Sequence, residues 1–174
     1  WETDPLYGWC KKNKKRDGTH YNIYEDGLKI YTTVDSRMQN YAEESVLAHV
    51  GHYLQPAFNR ENRKKANAPF TSDLTPSQVN DIMNRSIQQS ERYNVMRSAG
   101  YSREEIDKSF RTKTNMTVFT YNGEIDTVMT PIDSIRYYKS FLRTGFMSME
   151  PSTGHVKAYV GGLNYHHFMH DTVS

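Results

Sequence analysis

The sequence has a single cysteine, Cys10, among its 174 residues. One cysteine excludes an internal disulfide framework and a cysteine-based zinc cluster. The sequence also lacks a run of about 18 apolar residues, so no segment is predicted to cross a membrane as a helix. Neither sign of charge dominates, because 22 Lys and Arg residues are balanced by 20 Asp and Glu residues. Neither a nucleic acid nor an anionic membrane is therefore the expected partner.

The first ten residues lack the basic and then apolar layout of a secretion signal. If the protein works at a membrane, we expect its anchor to lie outside this sequence. Aromatic residues, in contrast, are frequent, with 13 Tyr, 7 Phe and 2 Trp. This content is atypical of disordered chains, and the length suffices for one sizeable core or two small ones.

A basic stretch near the start contains Lys11, Lys12, Lys14, Lys15 and Arg16. Such a stretch can bind phosphate, but neither a helical face nor interleaved aromatic residues accompany it. We therefore interpret residues 1–25 as a linker and keep a phosphate-binding patch as the less favoured alternative.

Apolar and polar residues alternate over residues 28–34, which predicts a strand with one buried face. Asp35 follows as a potential helix N-cap, and apolar residues then recur at every fourth position until Gly51. These features predict a strand followed by a helix. The polar stretch from Tyr53 to Phe70 contains two prolines and is predicted to be a connection.

Two capping boxes predict the next helices. Thr75 and Gln78 begin one that should extend to about Ala99, and Ser102 and Glu105 begin a shorter one. Another helix is predicted from Pro131.

Two hairpins are predicted near residues 116–129, around Asn122-Gly123, and near residues 146–160. The predicted fold is α+β, with one small antiparallel sheet and three to four helices. The strand near 28–34 and both hairpins would form that sheet.

Three histidines close to the end of the sequence raise the question of a metal site. His166 and His170 have the i, i+4 spacing that places two imidazoles on one face of a helix, and His167 lies between them. Asp171 is the only nearby carboxylate, and no helix signal covers the stretch. A non-metal role is favoured, and a histidine-based metal hydrolase stays open as a rival hypothesis.

Two separated blocks resemble a known family. The first is Asp26-Gly27-Leu28-Lys29-Ile30-Tyr31-Thr32-Thr33-Val34-Asp35, with the helix through Met38-Gln39. The second runs from Gly145 to Gly162 and contains Met149-Glu150-Pro151-Ser152-Thr153-Gly154-His155-Val156-Lys157-Ala158. Together they resemble the two sides of the entrance to the transpeptidase domain in class A penicillin-binding proteins. A helix like that predicted from Pro131 precedes the second block in some members.

The resemblance implies a domain organisation. Residues 1–25 would be the linker, residues 26–52 and 115–174 the N-terminal part of the transpeptidase domain, and residues 53–114 a helical accessory insertion. The intact protein would polymerise and cross-link peptidoglycan on the extracytoplasmic side of the inner membrane, through an acyl-serine intermediate that penicillin also forms.

The catalytic motifs of that family are missing from this sequence. The family's nucleophile is a serine followed by lysine three residues later, and no serine here has lysine at that distance. We therefore predict no catalytic, cofactor-binding or metal-binding residues, and expect the chain to end before the active site and to be inactive alone.

The resemblance also implies partners. The first is the remainder of the same polypeptide, and envelope regulators or a second copy paired through strand edges would be others. A non-enzymatic alternative is a module that binds an envelope protein or peptidoglycan through the helices between Thr75 and Phe110, with Tyr93 and Met96 as contacts.

Overall fold

The computed structural model describes residues 8–168, and the chain divides into two compact units between Thr33 and Val34. The first unit contains a short helix, α1 (Trp9–Lys12), in which Cys10 is buried. Farther along, the ammonium group of Lys15 lies 2.7 Å from a carboxylate oxygen of Asp26.

The strand predicted near residues 28–34 is not formed. Ile30 is 50% exposed and Tyr31 is 90% exposed, so the alternating pattern does not correspond to a buried and an exposed face. A strand needs a neighbour that accepts its backbone hydrogen bonds and covers its apolar face. Within residues 8–168, no strand pairs with this segment.

The second unit, from Val34 onward, contains most of the regular structure, which confirms the α+β fold class and has more helices than predicted. In chain order its elements are α2 (Ser36–Val46), a π-helical segment (Leu47–Leu54), α3 (Gln55–Asn62), α4 (Pro76–Gln89), α5 (Glu91–Ser98), α6 (Arg103–Arg111), β1 (Thr114–Thr120), β2 (Gly123–Met129), α7 (Pro131–Lys139), β3 (Phe146–Met149), β4 (Val156–Val160) and α8 (Tyr165–Phe168).

The helix that begins after Asp35 continues well beyond its predicted end. The Asp35 carboxylate caps α2 as expected, because it accepts hydrogen bonds from the backbone N–H groups of Arg37 and Met38. Gly51 does not end the helix but lies within the π-helical segment, and helical structure continues to Asn62. The prediction of a connection from residue 53 was therefore wrong for its first ten residues.

Ser90 divides the helix that was predicted to extend from Thr75 to Ala99. Its backbone is extended, with ψ of 147°, so it ends α4 and caps α5. The Ser90 hydroxyl donates to the carbonyl of Ile87 over 2.6 Å and accepts from the N–H of Tyr93. Serine favours such boundaries because its side chain competes for backbone hydrogen bonds. The capping boxes at Thr75 and Ser102 are confirmed.

Both predicted hairpins are present, but they form two separate two-stranded sheets instead of one sheet. In the first, β1 pairs with β2, and Thr120 opposite Gly123 puts Tyr121 and Asn122 at the turn, one residue earlier than predicted. In the second, β3 pairs with β4, with an irregularity between Ser148 and Met149.

A buried glutamine joins the start of α3 to the end of α7. Gln55 is only 4% exposed. Its amide nitrogen donates to the carbonyl of Ser140 over 2.9 Å, and its amide oxygen accepts from the N–H of Leu142 over 2.8 Å. Asn59 accepts a further hydrogen bond from the same nitrogen. Since these bonds use both ends of the amide, a buried polar side chain is tolerated here.

We predict that Gly51→Ala destabilises the protein. A Cβ atom at this position would overlap the ring of Tyr121, and Cγ, the ring atom bonded to Cβ of that side chain, would be only 2.9 Å away. Overpacking of this kind typically costs about 1–3 kcal/mol of unfolding free energy. Urea unfolding followed by circular dichroism measures the change. The neighbouring exposed residue provides the control, because His52→Ala should change stability by less than about 0.5 kcal/mol. Equal stability of the two variants would contradict the prediction.

Candidate functional site

The N-terminal helix of the second unit packs directly on the C-terminal strand. Ala42 of α2 forms a buried cluster with Ala158 and Val160 of β4, and Val46 packs against it. The two alanines let the helix and strand backbones approach closely, since neither carries atoms beyond Cβ. Two segments more than 100 residues apart in sequence are thus joined through α2, and not through the strand that was predicted near residues 28–34.

The side chain of Gln39 forms hydrogen bonds with the backbone of β4, as a neighbouring strand would. The Gln39 amide nitrogen donates to the carbonyl of Tyr159 over 2.9 Å, and its oxygen accepts from the N–H of the same residue over 2.8 Å. Just before α2, the N–H of Asp35 donates to the carbonyl of Lys157 over 2.9 Å. These hydrogen bonds satisfy the edge of β4 that faces away from β3.

The other edge of this small sheet is formed by β3. Within residues 8–168, β3 pairs with β4 alone. Phe146, Met147 and Met149 of β3 are each between 43% and 50% exposed. An edge that presents backbone hydrogen-bonding groups beside apolar side chains is suited to receive a further strand. Beside β3, a groove of about 420 Å³ has Met38, Val46 and Phe146 in its lining.

A cluster of rings connects the first hairpin to α7 and α8. Its members are Phe119, Tyr121, Tyr137, Tyr138, Phe141 and Phe168, whose paired ring centroids lie 5.1–6.3 Å apart. The backbone of Phe119 is also bound on both sides. Its carbonyl accepts from the Tyr137 hydroxyl over 2.7 Å, and its N–H donates to the Tyr138 hydroxyl oxygen over 3.1 Å. This cluster fixes the hairpin on α7.

His167 extends the same network to β2. Its Nε2 lies 2.7 Å from a carboxylate oxygen of Glu124, and its Nδ1 lies 3.3 Å from the Tyr138 hydroxyl. Its ring also packs against Phe119, with centroids 5.6 Å apart. His167 therefore attaches α8 to the first hairpin and to α7.

A cleft of about 570 Å³ lies between α2, the turn of the first hairpin and the segment after β4. Its walls include Leu47, Tyr121 and Leu163, and two carboxylates, Glu43 and Glu124, lie in its lining. No group of three or more His, Cys, Asp or Glu side chains suited to a metal ion occurs within residues 8–168.

Burial changes the acidity of two tyrosines in the ring cluster. Loss of solvent around Tyr121 raises the pKa of its hydroxyl to about 12, because the phenolate is poorly solvated there. Burial likewise raises the pKa of the Tyr137 hydroxyl, with a smaller contribution from Tyr138. Neither tyrosine is therefore poised to act as a base near neutral pH.

The structure does not test the metal hypothesis, because His167 is the one of its three histidines whose side chain lies among the described residues. His167 has the contacts given above, and His170 and Asp171 lie outside the described residues. The structure gives no side-chain placement for His166. The expectation that the chain holds no catalytic, cofactor or metal residues stays a prediction.

The helical docking surface also stays a prediction. Tyr93 and Met96 are half-buried, and Met96 Sδ accepts a hydrogen bond from the Ser109 hydroxyl over 3.1 Å. Their contacts therefore lie at least in part within the protein.

Within residues 8–168, none of the helices combines the length and apolar character needed to span a bilayer.

The sequence analysis did not predict the long-range hydrogen bonds that Gln39 and Gln55 make in the second unit. The Gln39 signal was present, because it lies three residues before Ala42 and seven before Val46, on the apolar face of the helix. A polar amide on such a face indicates a buried partner. Gln55 followed the glycine where the helix was predicted to end, so it carried no comparable signal.

Residues 65–142 match the family described as Penicillin-binding protein middle domain. The matched stretch includes α4 to α7 and the first hairpin, and therefore most of the ring cluster. It supports a penicillin-binding protein region in this chain. It also covers much of the stretch that the sequence analysis interpreted as an accessory insertion. No curated protein and no solved structure matches the chain.

We predict that Gln39→Met destabilises the protein by about 1–3 kcal/mol, because the edge of β4 loses both hydrogen bonds to the side chain. Methionine conserves the length and removes both polar atoms. The unfolding free energy in urea measures the effect. Gln88→Met is the matched control, since Gln88 is exposed on α4. If both variants lose the same stability, the amide does not hold the strand edge.

We further predict that stability falls as the pH rises from about 10 toward 12. The unfolded state releases the Tyr121 proton near pH 10 and the folded state only near pH 12. Raising the pH between these values therefore stabilises the unfolded state more than the folded state, and the free energy of unfolding falls. Below pH 10 this contribution is complete. Tyr121→Phe should make the fall shallower without abolishing it, because Tyr137 is also shifted. Urea unfolding midpoints at pH 8, 10 and 11 measure how steeply stability falls with pH. The same steepness in the unchanged chain and in Tyr121→Phe would contradict the role given to Tyr121.

Proposed function

We propose that this chain is the linker and N-terminal transpeptidase portion of a class A penicillin-binding protein. The observation that carries the proposal is the order of three features in the sequence. The middle-domain match at residues 65–142 lies between the two blocks that resemble the family's transpeptidase entrance. The packing of α2 on β4 supports it, because the first block leads into α2 and the second contains β4.

In this proposal the chain provides the supporting side of a larger transpeptidase sheet. One edge of β4 is already occupied by Gln39 and Asp35, so a further strand adds beside β3. The occupant would be a strand from the remainder of the same polypeptide. A second copy of the chain is the competing occupant, and sedimentation velocity over a range of concentrations would detect such a dimer.

The intact protein would polymerise and cross-link peptidoglycan in the bacterial envelope, on the extracytoplasmic side of the inner membrane. Its transpeptidase reaction would proceed through an acyl-serine. The serine would lie beyond the Gly161-Gly162 pair, since no serine of this chain has the required lysine three residues later. The role of the present residues is thus to position catalytic parts, and an envelope regulator is a further proposed partner.

Fluorescent penicillin tests this proposal. We expect no stoichiometric acylation of the present chain, and acylation of the same protein extended by its natural downstream sequence. The downstream coding sequence should contain a Ser-x-x-Lys motif within about twenty codons, and Ser→Ala at that motif should abolish labelling. Acylation of the present chain, or a downstream sequence without this motif, would refute the proposal.

A further inference from the structure

A groove of about 510 Å³ lies between α3 and α7. Its volume falls within the range of about 300–1,000 Å³ that is typical of ligand pockets. Phe58 and Asn62 line the groove, as do Asn59 and Arg63, and each pair has the i, i+4 spacing that puts two side chains on the same face of a helix. One face of α3 is therefore turned toward this groove.

Two arginines bring positive charge to the groove. Arg63 is the C-cap residue of α3, and Arg136 belongs to α7. Asp133 is the acidic residue of the lining, so two positive charges and one negative charge leave a net charge of +1. The surrounding chain has the same sign, because residues 58–75 contain four basic and two acidic residues and α7 contains two and one. Among the described residues, no carboxylate forms an ion pair with either arginine.

The guanidinium group of Arg136 is held in place from two sides. One of its Nη atoms donates to the carbonyl of Ala68 over 3.2 Å, and its Cζ lies 5.6 Å from the centre of the Phe70 ring. This hydrogen bond uses one of the five N–H groups of an arginine. A planar guanidinium matches a carboxylate with two parallel hydrogen bonds, and an arginine that is already fixed loses little side-chain entropy when it binds.

Two asparagine amides lie beside these arginines in the lining. The amide oxygen of Asn59 accepts a hydrogen bond from the Gln55 side chain over 2.8 Å, which leaves the two N–H groups of Asn59 for another acceptor. Asn62 is half-buried, and its side chain makes no hydrogen bond within residues 8–168. An asparagine side chain offers both a donor and an acceptor, so it can pair with a peptide group.

We propose that this groove binds the C-terminal residue of a peptide whose last side chain is apolar. The terminal carboxylate pairs with Arg63 and Arg136, and the peptide group before it pairs with the asparagine amides. The apolar side chain packs on Phe58, Pro69 and Met129, which also line the groove. A single carboxylate balances the net charge of the lining, whereas a phosphate dianion would leave one negative charge unbalanced. This inference does not depend on the proposed function.

A titration of the full chain followed by NMR tests the proposal. The probe is the peptide N-acetyl-alanyl-alanyl-leucine with a free carboxylate, which should shift the side-chain signals of Asn62 and Arg136 in a saturable way. The same peptide with a C-terminal amide should bind about tenfold more weakly, because the charge-assisted hydrogen bonds are lost. Hexanoate has a carboxylate and an apolar chain but no peptide group, and it should bind about fivefold more weakly than the acid peptide.

Arg63→Gln should lower the affinity for the acid peptide about tenfold, and it should leave the fold intact because Arg63 is exposed. Arg60→Gln is the matched control, since it removes the same charge from an exposed residue of α3 outside the lining. It should bind within about twofold of the unchanged chain. Equal affinity of the two variants, equal binding of the acid and amide peptides, or no binding by the unchanged chain would each overturn the proposal. So would hexanoate that binds as tightly as the acid peptide, or inorganic phosphate that binds more tightly.

Discussion

The packing of α2 on β4 is the contact on which the second unit depends. It brings residues near 40 against residues near 160, and the small side chains of Ala42 and Ala158 permit the short distance between backbones. Gln39 completes the contact by supplying one donor and one acceptor to the backbone of Tyr159. A helix thereby satisfies hydrogen bonds that a neighbouring strand would otherwise satisfy, and within residues 8–168 no strand other than β4 pairs with β3.

The ring cluster links the family-matched stretch to the last helix described. Phe119 lies at its centre, with its side chain among aromatic rings and both of its backbone polar groups bound by tyrosine hydroxyls of α7. Because aromatic rings are large and rigid, contacts among them fix the relative positions of the elements that carry them. His167 continues this link from α8 to Glu124 of β2. These contacts therefore fix the position of α8 relative to the matched residues 65–142.

Elements defined by local chemistry could be predicted from the sequence. The Asp35 cap, the capping boxes at Thr75 and Ser102, and both hairpins depend on residues within a few positions of one another. The strand near 28–34 failed because its pattern needed a partner, which the fold does not supply within residues 8–168. Gly51 failed as a helix end because helical structure continues through it, and its missing side chain instead makes room for the ring of Tyr121.

The sequence by itself determined the α+β class, the positions of the main turns and caps, and the lack of a serine and lysine pair for acyl transfer. These features follow from residue type and short spacing. Tertiary structure alone decided that the two hairpins form separate sheets, that Gln39 and Gln55 hold distant backbone segments, and which edge of β4 is bound by Gln39. Those outcomes depend on which segments become neighbours in space, since a hydrogen bond or a ring contact is specified only when both partners are in place.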